Sequence, residues 1–168
     1  MNRRFLAVGF VSALMLAGCG LQQNLAAAPN PGNGPTGPAT PITAPILTGA
    51  TFAWSSTTGH VVVLDFWGSW CGPCNSEQPA LDTLATRWKA KGVIFLGVDE
   101  QESAANGAAY ERSYNVPYPS VNDSSEVIAS EYNVLSPPTV IIIDSKGNIV
   151  DRFLGTLSGV STDLSRLS

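Results

Sequence analysis

The run His60-Val-Val-Val-Leu-Asp-Phe-Trp67 constrains the fold more than any other stretch of the chain. It is short, β-branched and apolar without alternation, the pattern of a strand buried on both faces. Such strands belong to parallel or mixed sheets covered by helices on each side. The residues after it agree. Positions 72 to 91 carry Leu81, Leu84, Ala85 and Trp88 at the spacing of one buried helical stripe, and Gly92 stops the helix.

Val93 to Val98 reads as a second buried strand, positions 102 to 114 as a helix, Tyr118 to Val121 as a brief strand and positions 124 to 132 as another helix. Val140 to Asp144 and Ile149 to Leu154 flank the turn Ser145-Lys146-Gly147-Asn148, which predicts an antiparallel hairpin, and a helix over 159–167 follows. Strands alternating with helices and closing on a hairpin predict an α/β fold with a mixed central sheet flanked by helices.

Charge is unevenly spread. Only 13% of the residues are charged, against a globular norm of about 25%. No Asp, Glu, Lys or Arg lies between Arg4 and Asp65, so the globular part begins shortly before Asp65. A net charge of −4 and a pI near 4.8 supply no basic footprint for a phosphate backbone, which argues against a nucleic-acid partner.

Arg3 and Arg4 followed by an apolar run from Phe5 to Ala17 read as a signal peptide over 1–18, too short for the roughly 20 residues of a membrane-spanning helix. The run ends Leu16-Ala17-Gly18-Cys19, which resembles a bacterial lipoprotein signal and implies that Cys19 becomes the lipid attachment site. An ordinary secretory cut after Ala26-Ala27-Ala28 is the alternative. Residues 19–45 are rich in Ala, Gly, Asn, Thr and Pro, with prolines at 29, 31, 35, 38, 41 and 45. Such a stretch buries too little apolar surface to offset its ordering entropy and predicts an extended tether, leaving 46–168 as the folded domain.

Both readings of the leader remove Cys19 from redox chemistry, so only Cys71 and Cys74 remain for it. They stand where the buried strand gives way to the helix. Two cysteines at this spacing can close a small disulfide ring, and the free N–H groups and dipole at a helix start stabilise a thiolate on the first. Cys71 is then the nucleophile and Cys74, a turn deeper, the resolving thiol. Half of a four-cysteine zinc site has the same spacing, but the chain holds no second pair and His60 is its only histidine, so no metal site is expected. A purely structural disulfide is the other alternative, and a loop this small removes little unfolded-state entropy.

Asp65-Phe66-Trp67-Gly68-Ser69-Trp70-Cys71-Gly72-Pro73-Cys74 resembles the active-site segment of thioredoxin, and Pro79 matches the proline that kinks the thioredoxin helix. The stretch Val134 to Asp144 resembles that family's cis-proline segment, with the cis-proline at Pro138 before Thr139. The separation of Asp99 from Pro138 leaves room for an inserted helix and strand. Together with the export signal and a lead-in bearing Phe52 and Trp54, this resembles the membrane-anchored TlpA/ResA-like branch of the thioredoxin superfamily.

That resemblance implies a thiol-disulfide oxidoreductase on the extracytoplasmic side of a bacterial membrane, lipid-anchored through Cys19, whose only redox group is the Cys71–Cys74 disulfide. Its partners would be exported cysteine-containing proteins, apocytochrome c among them, and a membrane thiol electron donor. Asp65, a carboxyl in an apolar run, would move the Cys74 proton, and Glu77 would tune that thiol. Trp70, Gly72, Pro73, Pro137, Pro138 and Thr139 would form the substrate groove. Pro137 departs from the family pattern, because a proline there offers a partner peptide no N–H. An extracytoplasmic disulfide oxidase or isomerase would carry the same motifs. A thioredoxin-fold metal carrier would use a wider cysteine spacing, and a peroxidase a more polar surround than Gly-Ser-Trp.

Overall fold

The computed structural model describes residues 36–168. The signal peptide, Cys19 and the tether up to residue 35 lie outside the described residues. In chain order the elements are β1 (Gly37–Pro38), β2 (Thr43–Pro45), β3 (Thr51–Ala53), β4 (Val62–Trp67), α1 (Gly72–Lys89), β5 (Ile94–Glu100), α2 (Ala104–Tyr114), β6 (Ser120–Asp123), α3 (Val127–Glu131), β7 (Thr139–Ile143), β8 (Asn148–Leu154) and α4 (Val160–Leu167), with a 3-10 turn over Trp54–Thr57.

The central sheet runs β1-β8-β7-β4-β5-β6. β4, β5 and β6 are parallel neighbours, while β7 and β8 return antiparallel as the expected hairpin. This mixed sheet, the cis peptide between Pro137 and Pro138, and the α2–β6–α3 insertion ahead of it give the thioredoxin-like architecture predicted from the sequence.

Every residue of β4 is buried, and alternation divides them between two cores. Val63 packs with Leu81, Ala85, Trp88, Phe153 and Leu164 on the α1 and α4 face. Val62, Leu64 and Phe66 pack with Leu96, Val98, Ile141 and Tyr132 on the α3 face. Fully burying one such aliphatic or aromatic side chain contributes about 1.5–3 kcal/mol. The same alternation puts Asp65 on the α1 face, beneath the start of that helix.

One boundary is corrected. The tether predicted to reach residue 45 is folded from Gly37 onward. Gly37 and Pro38 pair with Ile149 and Asn148 of β8, Ile42 is buried, and the Tyr132 hydroxyl donates to the Thr40 carbonyl at 2.6 Å. Prolines do not oppose this, because an outermost strand needs no N–H on its open side. A single isoleucine among Ala, Thr and Pro supplies the anchor that composition averaged away.

Candidate active site

The turn from β4 into α1 carries the two cysteines. Cys71 is the N-cap of α1, in extended conformation, and its Sγ accepts the Cys74 N–H at 3.2 Å. Pro73 sits in the first helical turn, where its missing N–H costs nothing. Cys71 and Cys74 form a disulfide with S–S 2.01 Å. Both residues are only 4% exposed, so position separates them where exposure does not. Cys71 holds the helix-dipole site, and Cys74 lines a cavity of about 10 Å³ with Asp65, Trp67, Glu77, Gln78, Leu81 and Pro138. That volume is at the threshold for one water molecule.

Asp65 is buried and pushed up to about 7. Burial is the main cause, the Tyr118 hydroxyl opposes it, and the Glu77 and Asp82 carboxylates add to it. Its acidity is therefore matched to proton transfer near neutral pH. Glu77 is half-buried and raised by burial, and it lines a second space as well, a groove of about 400 Å³ bounded by Pro73, Ser76, Ala80, Pro138, Gly155 and Leu157. It stands between the groove and the cavity under Cys74.

The remaining predicted residues divide. Pro73 and Pro138 line the groove, and Gly72 is exposed beside them. Trp70 is 51% exposed, with its indole N–H donated to the Glu100 carbonyl at 3.0 Å. Its ring lies back over Gly68, where a Cβ would come within 2.5 Å of the indole nitrogen. Thr139 is buried and its hydroxyl donates to the Ser136 carbonyl, so it braces the cis-proline loop from inside and does not open onto the groove.

Sequence reasoning missed the acids behind the loop. Asp99 and Glu100, the last two residues of β5, are fully buried, and Glu102 binds Ser69 immediately before the Trp70-Cys71 pair. Burial raises Asp99 to about 8, helped by a hydrogen bond to Glu102, and raises Glu100 to about 7. Their signal was positional: acids at the carboxyl end of a buried parallel strand, where α/β sheets place their sites. Among the described residues no group of His, Cys, Asp and Glu is arranged to hold a metal ion, and no helix is long and apolar enough to cross a membrane.

Comparison with known proteins agrees with this geometry. The thiol-disulfide oxidoreductase ResA of Bacillus cereus is 33% identical over 97 residues, 58% of this chain and 56% of ResA. The thioredoxin-like protein YneN of Bacillus subtilis is 33% identical over 116 residues, 67% of this chain and 66% of YneN. The chain thus spans little more than half the length of the ResA it matches. Among solved structures, a secreted Mycobacterium tuberculosis disulfide oxidoreductase homologous to E. coli DsbE is similar at TM-score 0.67 and 27% identity, covering 75% of this chain and 96% of that one. A putative thiol:disulfide interchange protein DsbE from Chlorobium tepidum is similar at TM-score 0.70 and 27% identity, covering 79% of this chain and 94% of that one. The sequence profile of the AhpC/TSA family matches residues 35–152, and the chain belongs to that family.

Proposed function

We propose that this chain is a thiol-disulfide oxidoreductase that reduces disulfides in exported proteins. The observation that carries the reading is the Cys71–Cys74 pair at the N-terminus of α1, with Cys74 and a buried carboxyl, Asp65, on one cavity. In the dithiol form the Cys71 thiolate attacks a partner disulfide, forms a mixed disulfide and expels the partner's other sulfur as a thiolate. Cys74 then gives its proton to the Asp65 carboxylate and attacks Cys71 Sγ, releasing the reduced partner. Two electrons leave the dithiol and two enter the partner. Glu77, between groove and cavity, tunes the Cys74 step.

The Leu16 to Cys19 segment supports lipid anchoring on the extracytoplasmic side of a bacterial membrane, and Cys19→Ala should then release the protein from the membrane fraction. A membrane thiol donor would restore the dithiol. Apocytochrome c is the substrate to which the TlpA/ResA-like resemblance points.

The test is trapping. Cys74→Ser should accumulate partners as mixed disulfides through Cys71, visible on non-reducing gels and by mass spectrometry, whereas Cys71→Ser should accumulate none. Trapping by Cys71→Ser would reverse the roles, and trapping by neither would end the reading.

A further inference from the structure

A chain of side chains leads from Asp65 to the surface of α1. Asp65 Oδ2 accepts from the Tyr118 hydroxyl at 2.9 Å. The Tyr118 oxygen accepts from Gln78 Nε2 at 3.0 Å, and the same nitrogen donates to Asp82 Oδ1 at 2.7 Å. At the other end of the amide, Gln78 Oε1 accepts from the Tyr110 hydroxyl at 3.4 Å. Asp65, Tyr118, Gln78 and Tyr110 are buried, and Asp82 is half-buried.

The direction of this chain is forced by donor and acceptor counts. An ionised carboxylate only accepts, and a phenol has one proton. Asp82 selects the amide NH2 of Gln78, and the Tyr110 hydroxyl holds the amide carbonyl. The second amide hydrogen therefore occupies a Tyr118 lone pair. The single Tyr118 proton is left for Asp65. A protonated Asp65 would accept the Tyr118 proton only on its carbonyl oxygen and more weakly than the carboxylate does, so the arrangement favours the carboxylate.

We propose that Asp82, Gln78 and Tyr118 form a directional hydrogen-bond relay that biases Asp65 toward the carboxylate that takes the Cys74 proton, and that Tyr118 is a positioning residue for disulfide exchange. The role in exchange rests on the function proposed above; the relay's effect on Asp65 can be read without it. The other groups facing Asp65 are Glu77 and Cys74 on α1, Tyr110 on α2 and Glu100 on β5. The carboxylates among them oppose its ionisation, as burial does, whereas the Tyr118 bond draws Asp65 back toward ordinary acidity. Tyr118 is itself held well above the usual tyrosine range by burial and by Asp65, so it keeps its proton while Asp65 titrates.

The experiment follows the Asp65 carboxyl carbon by NMR titration of the oxidised full chain, labelled at aspartate. Tyr118→Phe keeps the ring that packs on Phe95. It should raise the Asp65 midpoint by roughly one pH unit, the scale of one hydrogen bond to a charged group. Gln78→Met keeps the side-chain length but removes the amide donor that commits the Tyr118 proton to Asp65, and should shift the midpoint the same way by less. A Tyr118→Phe midpoint that stays put or falls, with the amide spectrum native, overturns the relay, and so does a Gln78→Met midpoint that does not move. In the reduced Tyr118→Phe chain, resolution of mixed disulfides should move to higher pH by the same interval. If the wild-type chain forms no mixed disulfide, the functional reading fails while the Asp65 titration still decides the relay.

Discussion

Ser69 gives both of its donors, the backbone N–H and the hydroxyl, to the two carboxylate oxygens of Glu102. The Asn122 amide in turn joins the Asp99 carboxylate to the Glu102 carbonyl, donating to them at 2.9 and 3.0 Å. The loop that presents Trp70 and Cys71 is thereby tied to the end of β5. Glu102→Ala removes both Ser69 bonds at a partly solvated site and should cost about 1–3 kcal/mol. Urea unfolding measures this, and Glu102→Gln, which keeps an acceptor oxygen, should lose less.

Gly107, on the inner face of α2, has no room for a side chain: an added Cβ would meet Asp99 Oδ2 at 2.1 Å and Leu47 Cδ1 at 3.0 Å. Alanine gains roughly 1 kcal/mol of helix propensity over glycine. Overpacking against a buried carboxyl typically costs about 1–3 kcal/mol. Gly107→Ala should therefore be net destabilising, and a midpoint in urea equal to or above wild type would contradict the packing argument.

Asp65, Asp99 and Glu100 all titrate higher in the fold than in the unfolded chain, chiefly through burial, at about 7, 8 and 7. A group raised on folding contributes stability that is full below its unfolded value, about 4, and is lost as pH rises through its folded value. Asp144 works the other way. Backbone N–H groups of Asn148 and Lys146 lower it, so its contribution is lost in acid. The oxidised protein should thus be most stable near pH 4 and lose melting temperature steadily from there to about pH 8. Calorimetry across that range checks it, and a flat or rising profile would refute it.

Pro137 cannot donate a hydrogen bond to a peptide laid beside Pro138. Replacing it by isoleucine restores an N–H and should strengthen capture of extended disulfide peptides by up to one net hydrogen bond, roughly 0.5–1.5 kcal/mol. Calorimetric titration of the Cys74→Ser chain, with and without the substitution, gives the answer.

A buried carboxyl beside Cys74 opposes thiolate formation there, so the dithiol gains little special stabilisation and the couple should be reducing. Its potential is expected below about −200 mV, nearer the roughly −270 mV of thioredoxin than the roughly −120 mV of a strong oxidase. Equilibration with glutathione or dithiothreitol buffers measures it. A value above about −160 mV would favour the oxidase reading.

The strands, the cysteines and Asp65 were legible in the sequence because each departs from its local background: β-branched runs without alternation, thiols at a strand-to-helix junction, a carboxyl inside an apolar run. Asp99, Glu100 and Glu102 were not, since acids after a strand look like a solvated turn until the neighbouring strand and α2 close over them. Gln78 and Tyr118 were read only as helix and strand residues, because nothing in spacing reveals which buried polar groups will meet across a 53-residue separation such as Tyr118 and Asp65. The folded end of the tether escaped notice for a related reason. Its binding to β8 is a property of the finished sheet.

That leading segment touches both margins of the sheet. Gly37 and Pro38 lie along β8, and Ile46 bridges Val121 of β6 while the Leu47 N–H reaches the Ser120 carbonyl. One strap thus covers part of each margin, the start of β8 at Asn148 and Ile149 and the start of β6 at Ser120 and Val121. That cover shields part of each margin without placing any charge there, since the segment carries none. A chain trimmed to begin at Thr51 would lose Leu47 from the cluster that holds the cysteines and would bare backbone at both margins, so it should associate edge to edge.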